Sequence, residues 1–240
     1  MKKGIKLFLF ALVGLLSMYA VAAQPLGANA AEWKNSSSYA GNESSSAFIN
    51  AMAGNVTQIE INGTAITTSW QGFYGNVTGS MILADAQGNN FYNWNLTSPS
   101  GEIYASRSNA VTWATIGCLE LVNSTVNVTA EETALGQSAT DPDSVRNTFA
   151  VTTHPSFDIG GVTVDDCQST QAYNSDGEAG TGFWQVLLTD TANTVYSTIL
   201  DATPETGFNN LSWDFQLLVG ENGKPGNEGV TPYYFYVELQ

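Results

Sequence analysis

The chain has 240 residues, a formal net charge of −15 and only seven Lys and Arg. Nothing in it can neutralise a run of phosphates, so nucleic acid and anionic lipid are set aside as partners. Apolar residues make up 43% of the chain, enough for one large core or two small ones.

The first predicted element is a leader. Lys2, Lys3 and Lys6 precede an apolar run over 7–23, and small-residue cleavage patterns follow at Val21-Ala22-Ala23 and Ala28-Asn29-Ala30. This predicts a secretory signal peptide over residues 1–30, cut after Ala23 or Ala30, and no membrane span in the mature form. A retained anchor and a prepilin-type cut after Gly4 compete for the same segment, and Lys6 argues against the second. Without the leader, Lys34, Arg107, Arg146 and Lys224 face 22 Asp and Glu, giving −18. The acidity comes from missing cations rather than from a heavy carboxylate load.

Residues 31–56 are rich in Ser, Asn and Ala. They are expected to form a flexible N-terminal arm, since so little apolar surface cannot offset the entropy of ordering. Phe48, Ile49 and Met52 are its apolar patch and the candidate assembly contacts. From 57 to 106, runs of Ile, Val, Thr and aromatics alternate with turn chemistry at Asn62-Gly63, Gly75-Asn76 and Gly88-Asn89. That pattern predicts a meander of antiparallel strands.

Strand-like composition continues over 111–118 and 119–129. A helical turn is expected over 129–135 with Thr129 as N-cap, and a second turn begins at 140–143. Strands are expected over 149–153 and 157–164, a polar loop over 168–182, and a hairpin pairing 184–188 with 194–200. A last hairpin pairs 213–219 with 233–239. In the final run Tyr233, Phe235, Val237 and Leu239 share one face and Tyr234, Tyr236 and Glu238 the other. Apolar character on both faces predicts cover on both sides, by the core and by a partner. The fold class expected over 57–240 is all-β: an antiparallel β-sandwich, jelly-roll or Ig-like, with short helical turns only, as one unit or two stacked halves.

Cys118 and Cys167 are the only cysteines, and in an exported chain an even pair predicts a disulfide. Asn-x-Ser/Thr occurs nine times, at Asn35, Asn42, Asn55, Asn62, Asn76, Asn95, Asn123, Asn127 and Asn210. Composition alone would give about four, so N-glycosylation is expected. Eight of the nine precede residue 130, which points to the sugar-poor C-terminal half, 184–200 and 213–239, as the surface for other subunits.

Catalytic signals are sparse. His154 is the only histidine, and a His in a Thr-Thr-His-Pro turn suits a structural role. Glu60, Glu102, Glu120 and Asp214 are the nominal carboxylates for glycoside hydrolysis, a pairing only space can decide. No cofactor is expected. Calcium is the one ion with a case, on Asp141, Asp143, Asp165, Asp166 and the turn Asn174-Ser175-Asp176-Gly177-Glu178, none of which matches an EF-hand loop. Trp70, Phe73, Tyr74, Tyr92 and Trp94 are candidates for a sugar-stacking platform, with Trp70, Tyr92 and Trp94 expected to divide between faces.

The segments WQGFYGNVTGSMILADAQGNNFYNW, SPSGEIYAS, TTHPSF and TPYYFYVEL resemble those of secreted archaeal cell-surface proteins. The resemblance spans most of the mature chain and carries over no catalytic residue. In overall plan the chain is also similar to archaeal extracellular filament subunits. That similarity implies a β-sandwich with dense N-glycosylation and an arm inserted as a strand into the next subunit. The expected function is therefore a non-catalytic structural subunit of an extracellular filament, sheath or surface layer, self-assembling by strand exchange. The alternatives are a cell-surface carbohydrate-binding or adhesion module and, behind it, a secreted glycoside hydrolase.

Overall fold

The structure is a computed structural model that describes residues 27–31, 35–39, 41, 48–96, 99–201, 203–222 and 231–239. The leader up to residue 26, the sequon Asn42 and part of the arm lie outside the described residues.

In chain order the strands are β1 (Asn29–Ala30), β2 (Trp70–Gly75), β3 (Gly79–Ala84), β4 (Asn90–Leu96), β5 (Gly101–Ser106), β6 (Gly117–Cys118), β7 (Phe157–Ile159) and β8 (Val162–Val164). There follow β9 (Ser169–Tyr173), β10 (Ala179–Thr189), β11 (Thr194–Ile199), β12 (Glu205–Thr206), β13 (Ser212–Trp213), β14 (Phe215–Gly220) and β15 (Tyr234–Leu239). Two short helices, α1 (Val128–Leu135) and α2 (Val145–Thr148), and a 3-10 turn at Trp113–Thr115 complete the described chain. The fold is all-β and antiparallel, sandwich-like in its layering, as the alternating pattern predicts. No helix of the described residues is long and apolar enough to cross a membrane.

A seven-stranded sheet organises the layers in the order β1-β15-β5-β11-β10-β6, with β9 also paired to β10. Side chains of a strand alternate between faces, and here both faces are apolar. Ile103, Ala105, Leu187 and Tyr196 point one way, under the β2–β14 ribbon and the helices, with Leu217, Val219, Leu135 and Phe149 closing that core. Tyr104, Val186, Leu188, Val195 and Tyr236 point the other way, under the β7–β8 hairpin and Trp113. The alternation expected for β15 holds. Phe235, Val237 and Leu239 pack on one core and Tyr236 on the other, so much of the cover on its two sides comes from this same chain, while Tyr234 stays 43% exposed.

The β10–β11 hairpin forms as the pattern predicts, in the register Leu188↔Val195 and Thr189↔Thr194. Asp190 organises its turn by accepting from the N–H groups of Ala192 (3.0 Å) and Asn193 (2.7 Å), and it also accepts from Thr112 N (3.0 Å). Burial alone would raise this carboxyl; the N–H groups outweigh it and hold the Asp190 pKa below its ordinary value. β10 and β11 are buried through the hairpin, which corrects the expectation that 184–200 is a surface for other subunits.

Several further expectations are corrected. The 57–106 stretch is not a meander: only β3 and β4 pair with each other. β2 pairs with β14 and β5 with β11 and β15, while 55–67 forms no strand. β14 and β15 likewise do not form the last hairpin. Tight-turn residues signal a reversal, but the partner is selected by the apolar face a strand must bury, and those faces lie far apart in sequence. The 149–153 run keeps only a bridge, Val151↔Ser169, and 111–118 is mostly the 3-10 turn and β6. The polar loop 168–182 contains β9 and the start of β10. The helix starts one residue earlier than expected, because Asn127, a stronger N-cap than Thr129, accepts from Ala130 N (2.8 Å).

Candidate functional site

Among the described residues the apolar patch of the arm is exposed. Phe48 is 91% exposed and Met52 73%, and Ile49, Val56, Ile59 and Ile61 are also exposed. The stretch after the arm is tied down as it enters β2, where Thr67 Oγ1 donates to Asp143 Oδ2 (2.6 Å) and Trp70 Nε1 to the Asp143 carbonyl (2.7 Å).

Beyond β2 the chain forms the β3–β4 ribbon, which has no third strand among the described residues. Cross-strand partners in an antiparallel pair share a face. Met81↔Trp94 and Leu83↔Tyr92 therefore make one face apolar, while Ser80↔Asn95 and Ile82↔Asn93 make the other more polar and place the sequon Asn95 there. The Tyr92 and Trp94 rings lie 4.7 Å apart, both about half exposed. Of the five aromatics expected in a platform these two remain, on one face rather than divided. Trp70 packs on Phe149 (5.9 Å), Phe73 on Phe235 (5.0 Å) and Tyr74 between Phe208 (4.9 Å) and Trp213 (5.0 Å).

At the other end of the sheet, Cys118 and Cys167 form the expected disulfide across 49 residues. It ties the edge strand β6 to the segment entering β9. His154 is buried beside it and accepts from Cys167 N at Nε2 (3.0 Å). That leaves Nδ1 as the protonated nitrogen, which donates to the Pro155 carbonyl (2.8 Å). The imidazole holds backbone.

The sequons differ in what their amides do. Asn35, Asn55, Asn62, Asn76, Asn95, Asn123 and Asn210 are exposed. Asn127 is only half-exposed, and both ends of its amide are engaged: Oδ1 caps α1 and Nδ2 donates to the Ser124 carbonyl (2.5 Å).

The nominal hydrolytic carboxylates do not converge. Glu60 lies on the exposed stretch that follows the arm and Glu120 on the surface, while Asp214 accepts from Val77 N (2.7 Å). Glu102 is buried opposite Glu238, a residue with no signal of its own in sequence. Among the calcium candidates, Asp141 accepts from Ser138 N (2.7 Å), Asp143 from Thr67, and Asp176 from Glu178 N (3.0 Å). Among the described residues no three His, Cys, Asp or Glu are placed to hold a metal together.

Two ion pairs anchor the helices. Arg146 reaches both carboxylate oxygens of Glu132 from α2. Glu131 of α1 accepts from Arg107, from Thr194 Oγ1 (2.8 Å) and from Tyr196 OH (2.7 Å), joining helix to sheet. Arg107 and Glu131 line a polar cleft of about 560 Å³ with Ser108, Asn109, Asn193 and Tyr234. Sequence reasoning missed this hub, because nothing local to Glu131 marks it as buried. No family model, curated protein or solved structure matches the chain.

Proposed function

We propose that the chain is a structural subunit of an extracellular assembly, filament, sheath or surface layer, exported by its leader and glycosylated on its exposed sequons. The observation that carries this reading is the arm. Phe48, Ile49, Met52, Val56, Ile59 and Ile61 are strand-forming or large apolar residues left in water, on a segment that joins no strand among the described residues. Burying such side chains is worth about 1.5–3 kcal/mol each, so a second copy that covers them gains stability. The assembly step is strand addition: the arm pairs with an open sheet edge of a neighbour, its alternate side chains filling the groove. Such a contact is head-to-tail and propagates. Exposed sequons on the polar side of the β3–β4 ribbon fit an outward, sugar-covered surface, and the resemblance to secreted archaeal surface proteins points the same way.

Replacing Phe48, Ile49 and Met52 together by Ser tests the reading. These side chains are solvated in the monomer, so its unfolding midpoint should move little. Electron microscopy of the purified wild type should show polymers and the variant only folded monomers. Assembly by the variant at wild-type concentration, or a wild type that stays monomeric, overturns strand addition through the arm.

A second reading rests on the Tyr92–Trp94 pair. Two half-exposed rings 4.7 Å apart on one face are a surface on which a sugar can stack, which makes a carbohydrate-binding or adhesion module the rival. Glycan-array binding lost in Trp94→Ala, with assembly unaffected, selects it. The hydrolase reading gains nothing from the placement of Glu60, Glu102, Glu120 and Asp214.

A further inference from the structure

Glu102 and Glu238 occupy directly opposed positions on the neighbouring strands β5 and β15. Like charges so placed repel, and water has little access to the Glu102 side of the pair, which is 3% exposed, while Glu238 is half-buried. Tyr104 OH lies 3.3 Å from Glu102 Oε2 and 3.3 Å from Glu238 Oε2. The β7–β8 hairpin lies over the pair: Gly160 N donates to Glu238 Oε1 (3.1 Å), and Asp158 adds a third negative charge nearby. Neither of the two ion pairs among the described residues involves Glu102 or Glu238.

The Tyr104 hydroxyl has one hydrogen for two carboxyl groups, and both contacts are longer than the 2.5–3.0 Å usual for an O–H···O bond. The phenol therefore compensates a second buried negative charge poorly, and Glu102 is the more buried of the two carboxyls.

We propose that folded Glu102 holds a proton through the neutral range, and that this proton is a pH latch keeping the terminal strand β15 on the sheet. The Gly27–Ala31 edge, which pairs with β15 through Asn29↔Val237 and Ala30↔Tyr236, is secured with it. Geometry and electrostatics agree. Burial, then Glu238 and Asp158, push Glu102 up against the opposing bond from Tyr104, to about 8 from an ordinary 4.5. Tyr104 is itself pushed up and keeps its proton.

The sign follows from which state holds the proton. Below pH 4.5 folded and unfolded chains both hold it. Between 4.5 and about 8 only the folded chain does, so every unit of rising pH favours unfolding, on the order of tenfold in the equilibrium. Above that range both have released it and the slope ends. The latch favours the fold in acid.

The test is denaturant unfolding of the chain from Gln24 onward, which keeps the Asn29–Ala30 strand, from pH 5 to 9, wild type against Glu102→Gln, which keeps the shape and removes the titration. Asp201 is also raised, by burial and by Glu205 and Asp214, and any slope it adds is common to both proteins and cancels in the comparison. The wild type should lose about tenfold per pH unit more than the variant up to about pH 8, and the two should run parallel beyond. Equal slopes throughout overturn the proposal. Should Glu102→Gln not fold, the wild type alone decides. Its unfolding at pH 6.5, followed calorimetrically in two buffers of different ionisation enthalpy, should release about one proton per chain beyond the Asp201 background measured in Asp201→Asn. No such proton means that no latch exists.

Discussion

Arg107 is the perturbation with the most to say about how this fold is held. Its guanidinium faces Glu131, which is 3% exposed, while Arg107 itself keeps 34% of its side chain in water. Arg107→Met retains the aliphatic stem and removes the charge. Thr194 and Tyr196 still donate to Glu131, but two neutral donors do not balance a buried anion. Breaking a fully buried pair costs about 3–5 kcal/mol. Water reaches one side of Arg107, so roughly 2–3 kcal/mol is expected here. At 2–4 °C per kcal/mol for a domain of this size, Tm should fall by about 4–12 °C.

Urea unfolding of the oxidised protein at pH 7 measures the change, with the double variant Arg107→Met, Glu131→Gln as the control. Removing both charges abolishes the uncompensated anion, so the double variant should recover at least half of the loss. A single variant within about 0.5 kcal/mol of wild type, or a double variant no better than the single, refutes the claim that Glu131 depends on Arg107.

The other predictions concern covalent and backbone constraints. Reducing and alkylating the Cys118–Cys167 bond, which closes 49 residues, should lower stability by about 4 kcal/mol on chain-entropy grounds; an unchanged denaturation midpoint would show that the unfolded chain does not gain that freedom. Gly101→Ala should destabilise by at least about 3 kcal/mol in thermal unfolding: Gly101 has φ +121°, and an added Cβ falls 2.0 Å from the Glu238 carbonyl oxygen. Asn127→Ala should cost about 1 kcal/mol through loss of the α1 cap. Because the Asn127 amide is already committed, glycopeptide mass spectrometry should find Asn76 and Asn95 occupied and Asn127 bare; full occupancy at Asn127 contradicts that ordering.

Much of this protein is written locally. The alternation of β15 and the Asp190 turn between β10 and β11 depend on residues a few positions apart, and so does the Gly160-Gly161 reversal, which splits the run expected as one strand over 157–164 into β7 and β8. Backbone preference and period-two burial are short-range properties, so they can be read along the chain. The disulfide was legible for a different reason, since two cysteines allow one pairing.

Strand partners were not legible. β2 pairs with β14, and β15 inserts between β1 and β5, because two apolar faces of the central sheet had to be covered and those strands carried the matching side chains. The same non-local choice sets Glu102 against Glu238 and buries Glu131 beneath Arg107. Neither carboxylate differs in local sequence from one bathed in water; only the strands brought against it remove that water and give its charge or its proton a role.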